Sequence, residues 1–464
     1  MAEPKSRRSA DPCVAGDEHP LVAILADFFA ERLSRPTASS ASGRLCVGLS
    51  GGRDSVVLLH ALDRLRSSAA YPFSLSALHV NHGISANADD WAAFCSEWCA
   101  RHAVPLSMVR VTVAQGSGEG LESAARRARH AAFADCDADL LALAHHRDDQ
   151  AETVLLNLLR GAGIAGAAGM LAERTQGSGP RLVRPLLDVP RALIEDYASA
   201  QSLCWIDDES NDDTHFRRNY LRHEVMPRLD EKFPGAPKSL ARAASHFAEG
   251  ALLLDELAAI DRAALTTPAG RIDLSGFNVL SSARARNLLR FAWLAAGFRA
   301  PDTRWIDEAL RQLSSADSLS ETCVATVDGE LHVYRGELHL IGHPPDSSPV
   351  VQSWSGEPDL PWAGGRILLV PGTGSGIDRR ALQGGEVTLR PRFGGERFRP
   401  DARRPRRSLR KLCQDAAIPP WERSRLPLLW VGDQLAWVGG LGVDAAFACA
   451  PGEAGVLPVW ESGG

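Results

Sequence analysis

The sequence predicts an α/β fold. A doubly wound parallel sheet forms the N-terminal domain, followed by a helical middle domain and a small α+β C-terminal domain. Three observations predict it. Four short apolar runs alternate with helix-period segments between Leu45 and Ala200, as in parallel strands joined by helical crossovers. From Pro237 to about Leu313 the chain is rich in Ala and Leu at helical spacing. Beyond Glu386, strand-like segments return around a stretch crowded with arginine. The 464 residues exceed one typical domain and can bury a sizeable core.

In chain order, MAEPKSRRSADP reads as the start of a mobile tail over 1–19. Pro20 to Leu33 is apolar but carries Asp27, Glu31 and Arg32, so it reads as an amphipathic helix and not as a signal peptide or membrane span. Leu45 to Leu49 is a buried strand. Val56, Val57, Leu58, Leu59, Leu62 and Leu65 recur at helical spacing after it. Ser74 to Val80 is the second strand, Ala88 to His102 a helix, and Pro105 to Val113 the third strand. A helix opens at Glu119, Asp139 to Ala144 is the fourth strand, and a helix carrying Val154, Leu155, Leu158 and Leu159 follows. The loop at Gly161-Ala162-Gly163 ends that helix. Arg184 to Leu187 and a helix from Arg191 to Ala200 complete a domain placed at 20–232. The helical domain is placed at 233–342, with strand candidates at its end in ATVDGELHVYRGELHLIG. Residues 343–379, dense in Pro, Gly and Ser, are expected to be a linker. The last domain, 380–464, has strands at Glu386 to Arg390 and Leu426 to Val438, with a hairpin at Gly432-Asp433.

A net charge of −6 gives no global sign of nucleic-acid binding, so any basic surface must be local. Nine scattered cysteines suit a reducing cytoplasm better than secretion. No zinc ligand set stands out, and Cys95 and Cys99 read as two thiols on one helix face.

The chemistry concentrates where strands end. After the first strand comes Ser50-Gly51-Gly52-Arg53-Asp54-Ser55. Two glycines let the backbone approach a ligand, two hydroxyls add donors, and the N–H groups of the helix start point the same way. That is an anion cradle for a phosphate or pyrophosphate. Asp54 would repel phosphate unless it holds a magnesium ion bridging to it. The Walker pattern is absent, with no lysine in the loop. His79-Val80-Asn81-His82-Gly83 ends the second strand, on the side where open α/β sheets bind ligands. His145-His146-Arg147-Asp148-Asp149-Gln150-Ala151-Glu152 follows the fourth strand. Asp148 and Glu152 share a helix face and could hold metal or a cationic substrate, or Asp148 could simply cap the helix. Arg126 either faces phosphates or belongs to a solvated charged face. An acidic turn at 205–213 runs into Arg217, Arg218, Asn219, Tyr220 and Arg222. Between Arg390 and Lys411 arginines crowd, with Phe393 and Phe398 interleaved, which is the clearest nucleic-acid footprint in the chain.

SGGRDS alone resembles the ATP pyrophosphatases that cleave between the α and β phosphates. Together with HVNHG, LESAARRAR, AHHRDDQAETVLLNLLRGAG, RPLLDVPR, WIDDESNDD followed by RRNYLR, and LRPRFGGERFRP through PPWERSRLPLLW, the chain resembles the tRNA(Ile)-lysidine synthetase family of the PP-loop superfamily. Cys413 and DARRPRR are local departures, and the tail before Pro20 lies outside the match. The resemblance implies a cytoplasmic, non-membrane ligase with an adenine nucleotide alpha hydrolase-like catalytic domain. It implies ATP and Mg2+ as cosubstrate and cofactor, free L-lysine and tRNA(Ile) with a CAU anticodon as partners, and leaves room for a homodimer. Lysine would be joined to carbon 2 of the wobble cytidine through an adenylate, changing decoding from AUG to AUA. Ser50, Gly51, Gly52, Arg53, Asp54 and Ser55 would bind ATP, with Asp54 on magnesium and Arg126 on phosphate. Asp148, Asp149 and Glu152 would orient lysine or metal, with His82 or His145 close to the chemistry. The middle and last domains would grip tRNA, with Arg217, Arg222, Arg397, Arg399, Arg403, Arg404, Arg406, Arg407, Arg410 and Lys411 as contacts. The alternatives are a PP-loop tRNA thiolase, disfavoured by the absence of C-x-x-C, and a non-catalytic RNA-binding protein, disfavoured by the intact SGGRDS.

Overall fold

The computed structural model describes residues 19–33, 43–67, 73–83, 85, 87–111, 121–175, 177, 179–208, 213–316, 322–342 and 350–461. The tail over 1–18, the helix start at Glu119 and Gly120, the third strand's expected end at Thr112 and Val113, residues 209–212 of the acidic turn and 343–349 of the expected linker lie outside them. The chain divides into two compact units between Leu254 and Asp255.

The first unit begins with α1 (Pro20–Leu33), β1 (Gly43–Gly48), α2 (Arg53–Ser67), β2 (Phe73–Asn81), α3 (Ala88–Arg101), β3 (Leu106–Arg110) and α4 (Leu121–Ala134). It continues with β4 (Leu140–Ala142), α5 (Arg147–Leu159), α6 (Ile164–Ala167), β5 (Glu173–Arg174), β6 (Arg181–Val183), α7 (Arg191–Ala200), α8 (Arg217–Tyr220) and α9 (Met226–Lys232). The sheet order is β3-β2-β1-β4-β6-β5. The first five of these strands pair in parallel, and β5 adds an antiparallel edge. The order reverses between β1 and β4, so the crevice beyond their carboxyl ends is the ligand position of this architecture. Both strands are apolar because they are central: Leu45, Val47, Leu140 and Ala142 are at most 1% exposed. Val56, Leu59, Ala61 and Leu62 of α2 pack into the same core. Two strands exceed the four expected. RLV at β6 is too short to show a period, and β5 is only a pair of charged residues.

The helix α10 (Ala236–Leu265) contains the division between the units. In the second unit, α11 (Leu274–Val279), α12 (Ser282–Ala295) and α13 (Thr303–Ser315) share a core with β7 (Ile272–Asp273), β8 (Cys323–Ala325), β9 (Gly329–Tyr334) and β10 (Glu337–Gly342). These strands form a sheet in the order β7-β10-β9-β8, and β8 to β10 are the strands expected at the end of this mainly helical region.

The expected linker is corrected over its described part. It carries β11 (Gln352–Ser353), β12 (Asp359–Trp362), β13 (Gly365–Thr373) and β14 (Ile377–Asp378). Its Pro and Gly residues are turn and strand-edge residues, and Trp362, Ile367, Leu369 and Ile377 enter a core. Beyond them lie β15 (Val387–Arg390), β16 (Arg397–Phe398), β17 (Arg407–Ser408), α14 (Leu409–Asp415), α15 (Pro420–Arg423), β18 (Leu428–Val431), β19 (Gln434–Val438), β20 (Gly442–Val443) and β21 (Ala454–Glu461). They form sheets β11-β15-β18-β19-β20 and β12-β13-β21-β14, with β16 and β17 as a separate ribbon. The hairpin at Gly432-Asp433 is present, with Gly432 at φ 57°. Among the described residues no helix is long and apolar enough to cross a membrane.

Candidate active site

The loop 50–52 joins β1 to α2 at the reversal of strand order. Gly51 has φ 89°, and a Cβ there would lie 3.1 Å from Ile206 Cδ1 and 3.3 Å from Cys95 Sγ, so the position suits glycine alone. Ile206 N–H donates to Gly51 O at 3.0 Å and backs the loop. Ser55 Oγ donates to Gly52 O (2.9 Å), lies 3.1 Å from Ser50 Oγ and accepts from Ser50 N–H (3.2 Å), which folds the turn onto the helix. The first i to i−4 bond of α2 runs from Val56 N–H to Gly52 O. The earlier N–H groups of the helix therefore lack helical acceptors and face an incoming anion.

Asp54 sits in the first turn of α2. Arg53 Nε donates to its Oδ1 at 3.1 Å, and His146 Nε2 lies 3.6 Å from its Oδ2. His146 is buried, and it also approaches Asp149 Oδ2 at 3.5 Å and Asp148 Oδ2 at 3.7 Å. These are ion-pair distances, long for hydrogen bonds. Burial opposes a charge on His146, but the three carboxylates outweigh it and push its pKa up to about 9. Burial likewise opposes ionisation of Asp54, yet His146 and Arg53 hold its pKa below the usual carboxylate range. Asp148 is also held low: against burial, His146 and the Arg191 backbone N–H stabilise its charge.

Asp149 and Glu152 are buried and share the face of α5 that meets Arg218 of α8 and Arg222 of the following π-helical turn. Arg218 reaches Glu152 Oε2 at 3.1 Å and Asp149 Oδ1 at 3.2 Å; Arg222 reaches Glu152 Oε1 at 2.7 Å and Asp149 Oδ1 at 2.8 Å. Two arginines thus neutralise two carboxylates. Arg53 Nη1 and Arg191 Nε both donate to Glu195 Oε1, which ties the loop to α7.

A cationic face adjoins this balanced cluster. Arg184 is buried; desolvation and then Arg126 and Arg174 lower its pKa to about 10. His130 falls to about 4 through burial and the fields of Arg126, Arg129, Arg174 and Arg184. His145 falls to about 3, chiefly through burial. Arg184 Nε donates to His145 Nδ1 at 3.3 Å, so that nitrogen is an acceptor and the proton of the neutral ring is on Nε2. Burial and then Arg129 lower the His82 pKa, and among the described residues its Nδ1 has no hydrogen-bond partner. The arrangement pairs a loop that leads into the open N–H groups of a helix start with a carboxylate cluster and a cation-rich wall.

The sequence matches three family models: a PP-loop domain over residues 25–229, a TilS substrate binding domain over 272–339 and a TilS substrate C-terminal domain over 387–460. It is 45% identical to the tRNA(Ile)-lysidine synthase of Azoarcus sp. (strain BH72), over 94% of this chain and 95% of that one. The chain belongs to the tRNA(Ile)-lysidine synthase family. The enzyme of the same name from Nitrosomonas europaea is 44% identical, over 90% of this chain and 92% of its own. Among solved structures, the U34-tRNA thiolase NcsA from Methanococcus maripaludis is 18% identical with a TM-score of 0.42, covering 50% of this chain and 78% of that one. That likeness is too slight to carry a functional argument.

For this tRNA(Ile)-lysidine synthase family member, the structure brings Asp54, Asp148, Asp149, Glu152 and His145 together beside Ser50–Ser55, with Arg126 near enough to Arg184 to shift it electrostatically. Arg222, expected to face tRNA, is turned inward because two buried carboxylates need a cation; Arg217 is exposed. His146 and Arg218 were missed. Arg218 and Arg222 are four apart, as one helix face requires, and Asp149 and Glu152 are three apart on another, so the pairing was readable.

The C-terminal arginines divide in two. Phe398 is fully buried and cannot stack on a base, whereas Phe393 is 77% exposed. Arg406 pairs with the fully buried Asp444 at 3.2 Å, which also accepts from Arg399 N–H. Arg407 pairs with Asp415 at 2.7 Å, and Arg397 donates to Arg406 O. These contacts hold the loop between β16 and β17. Arg403, Arg404, Arg410 and Lys411 are exposed.

Proposed function

We propose that this chain is a carbon–nitrogen ligase that joins L-lysine to carbon 2 of the wobble cytidine in the CAU anticodon of tRNA(Ile), releasing AMP and pyrophosphate. The observation that carries this reading is the match to curated tRNA(Ile)-lysidine synthases along nearly the whole chain, with the SGGRDS loop intact at the reversal of strand order. The PP-loop assignment supports ATP as the nucleotide. The finer domain boundaries are part of the proposal: catalysis within 20–232, and tRNA binding by 233–342 and 380–464.

The loop N–H groups, Ser50 and Ser55 bind the phosphates, and Arg126 on the cationic wall offsets charge at the α-phosphate. The base oxygen attacks the α-phosphorus, and pyrophosphate leaves with the bonding pair. Asp54 and Asp148 fit a magnesium site: both are held ionised and both are about one-third exposed, at 32% and 33%. Bound magnesium would supply charge neutralisation at the phosphates.

In the second half the lysine amine attacks carbon 2, and AMP departs with the electron pair of the broken C–O bond. An ammonium cannot attack, so the incoming group must lose a proton. Asp149 and Glu152 form the carboxylate pair suited to orient the amine and accept that proton. Their present partners, Arg218 and Arg222, must share them with the cation that enters. His145 offers Nε2–H as a donor beside them. A thiolase reading needs a reactive sulfur, but Cys46, Cys95 and Cys99 are buried, with thiol pKa values driven up by burial and, for Cys46 first of all, by a hydrogen bond with Cys136.

The deciding experiment is tRNA-dependent pyrophosphate release with ATP, magnesium and labelled lysine. A CAU-anticodon tRNA(Ile) transcript is the substrate and elongator tRNA(Met) the control. Label on the first RNA alone is the expected result. Pyrophosphate release without lysine incorporation would overturn the choice of nucleophile.

A further inference from the structure

The second unit carries a cluster of metal-ligating side chains outside the site described above. Cys323 of β8 and His332 of β9 are register partners across an antiparallel pair. Glu330 lies two residues before His332, so the strand period places it on the same face. The alternate residues Leu331 and Val333 enter the core, which fixes that face and leaves Glu330 and His332 on the other. His332 Nε2 is the hub: it lies 3.7 Å from Cys323 Sγ and 2.7 Å from Glu330 Oε2. All three donor atoms lie within 4.8 Å of one another.

We propose that Cys323, Glu330 and His332 form a site for a zinc-class divalent cation, with solvent in the fourth position. Tetrahedral zinc with bonds of ~2.3 Å to sulfur and ~2.0–2.1 Å to nitrogen sets its sulfur and nitrogen ligands ~3.5 Å apart, close to the spacing found here. The Glu330–His332 contact is a hydrogen bond in the metal-free chain and opens by roughly 0.7 Å as the ion enters. The donor set selects the metal. Thiolate with imidazole favours zinc, cobalt or similar ions and disfavours magnesium and calcium, which take oxygen ligands.

The surroundings hold the donors in place. The His332 ring packs on the Trp421 indole of α15 with centroids 4.4 Å apart, so its orientation is set before metal binds. The ion would tie β8 to β9, and through His332 it would brace the contact with Trp421.

The test uses the full-length, tag-free, metal-stripped chain titrated with Co2+, then Zn2+. One equivalent of Co2+ should give tetrahedral d–d bands and a sulfur-to-cobalt charge-transfer band, both displaced by Zn2+. Cys323→Ser should lose the charge-transfer band. Glu330→Gln, which keeps the shape of the face, should weaken Co2+ binding at least ~10-fold. Zn2+ should raise the thermal midpoint of the wild-type chain and not that of Cys323→Ser. Absence of a charge-transfer band in the wild-type chain, or a band of equal strength in Cys323→Ser, would overturn the site. Because every readout is metal binding, the result is independent of whether the chain modifies tRNA.

Discussion

Arg222 grips Glu152 with two hydrogen bonds, Nε to Oε1 at 2.7 Å and Nη2 to Oε2 at 3.0 Å. The carboxylate is 3% exposed and the arginine 24%. An incoming ammonium therefore meets a carboxylate that already carries a cation. Under the proposed lysine role, binding would be an exchange of partners and not the filling of an empty acidic hole. Glu152→Gln keeps the volume and removes the charge. We expect the KM for lysine to rise about 10–100-fold, with tRNA-dependent pyrophosphate release reduced much less. Steady-state kinetics with lysine as the varied substrate checks it. An unchanged KM would remove Glu152 from lysine binding.

His146 gives the ligand-free chain a distinct pH dependence. Its folded pKa of about 9 lies above the ordinary histidine value of about 6.5, so its charge contributes stability in full below pH ~6.5. That contribution fades as pH rises through about 9, and its size is of the order of 2–3 kcal/mol. Asp149 works at the other end. With a folded pKa near 2, its contribution is present above pH ~4 and is lost as pH falls through 2. Urea denaturation of the metal-free and nucleotide-free chain should show the alkaline decline between pH 6.5 and 9, and His146→Gln should flatten it.

Much of this site was legible in the sequence, and the parts that were not have physical reasons. The loop 50–55 was readable because a strand, two glycines and a helix start are local features. His146 was obscured by its neighbour: two adjacent histidines look alike in a string, but only the fold turns one toward three carboxylates and the other toward Arg184. Arg222 was assigned to tRNA because charge alone cannot tell a surface arginine from one neutralising a buried acid. Residues 352–378 looked like a linker because Pro and Gly dominate the composition, yet Ile367 and Leu369 alternate with partly exposed residues as a half-buried strand does. An aromatic among arginines can pack or stack, and Phe398 packs as the core anchor of the loop that displays them.

Asp54→Asn should abolish pyrophosphate release, by about 10²–10³-fold or more, and leave the fold intact. The side chain keeps its shape, and Arg53 still has Glu195 to pair with at 2.6 Å. Circular dichroism and the thermal midpoint check the fold, and a coupled pyrophosphate assay checks the chemistry. Near-normal turnover would remove Asp54 from the mechanism.

The basic residues from β16 to α14 should separate into binding and structural groups. Replacing Arg403, Arg404, Arg410 and Lys411 with Ala removes four exposed cations without unpairing a buried acid. Affinity for tRNA should fall, and the slope of log K against log salt should flatten by roughly 3 units, at ~0.7–0.9 per phosphate contact. The thermal midpoint should stay where it is. Arg406→Ala should do the opposite. Its partner Asp444 is fully buried, so the substitution leaves a buried carboxylate with only backbone N–H donors, at a cost of about 3 kcal/mol, discounted for the half-open position of the arginine. Stability should drop while the salt slope changes by no more than one contact. If the four-site variant binds tRNA with unchanged affinity at both low and moderate salt, the C-terminal basic surface is not a tRNA contact. Arg406 and Arg407, which pair with Asp444 and Asp415, would keep their structural role.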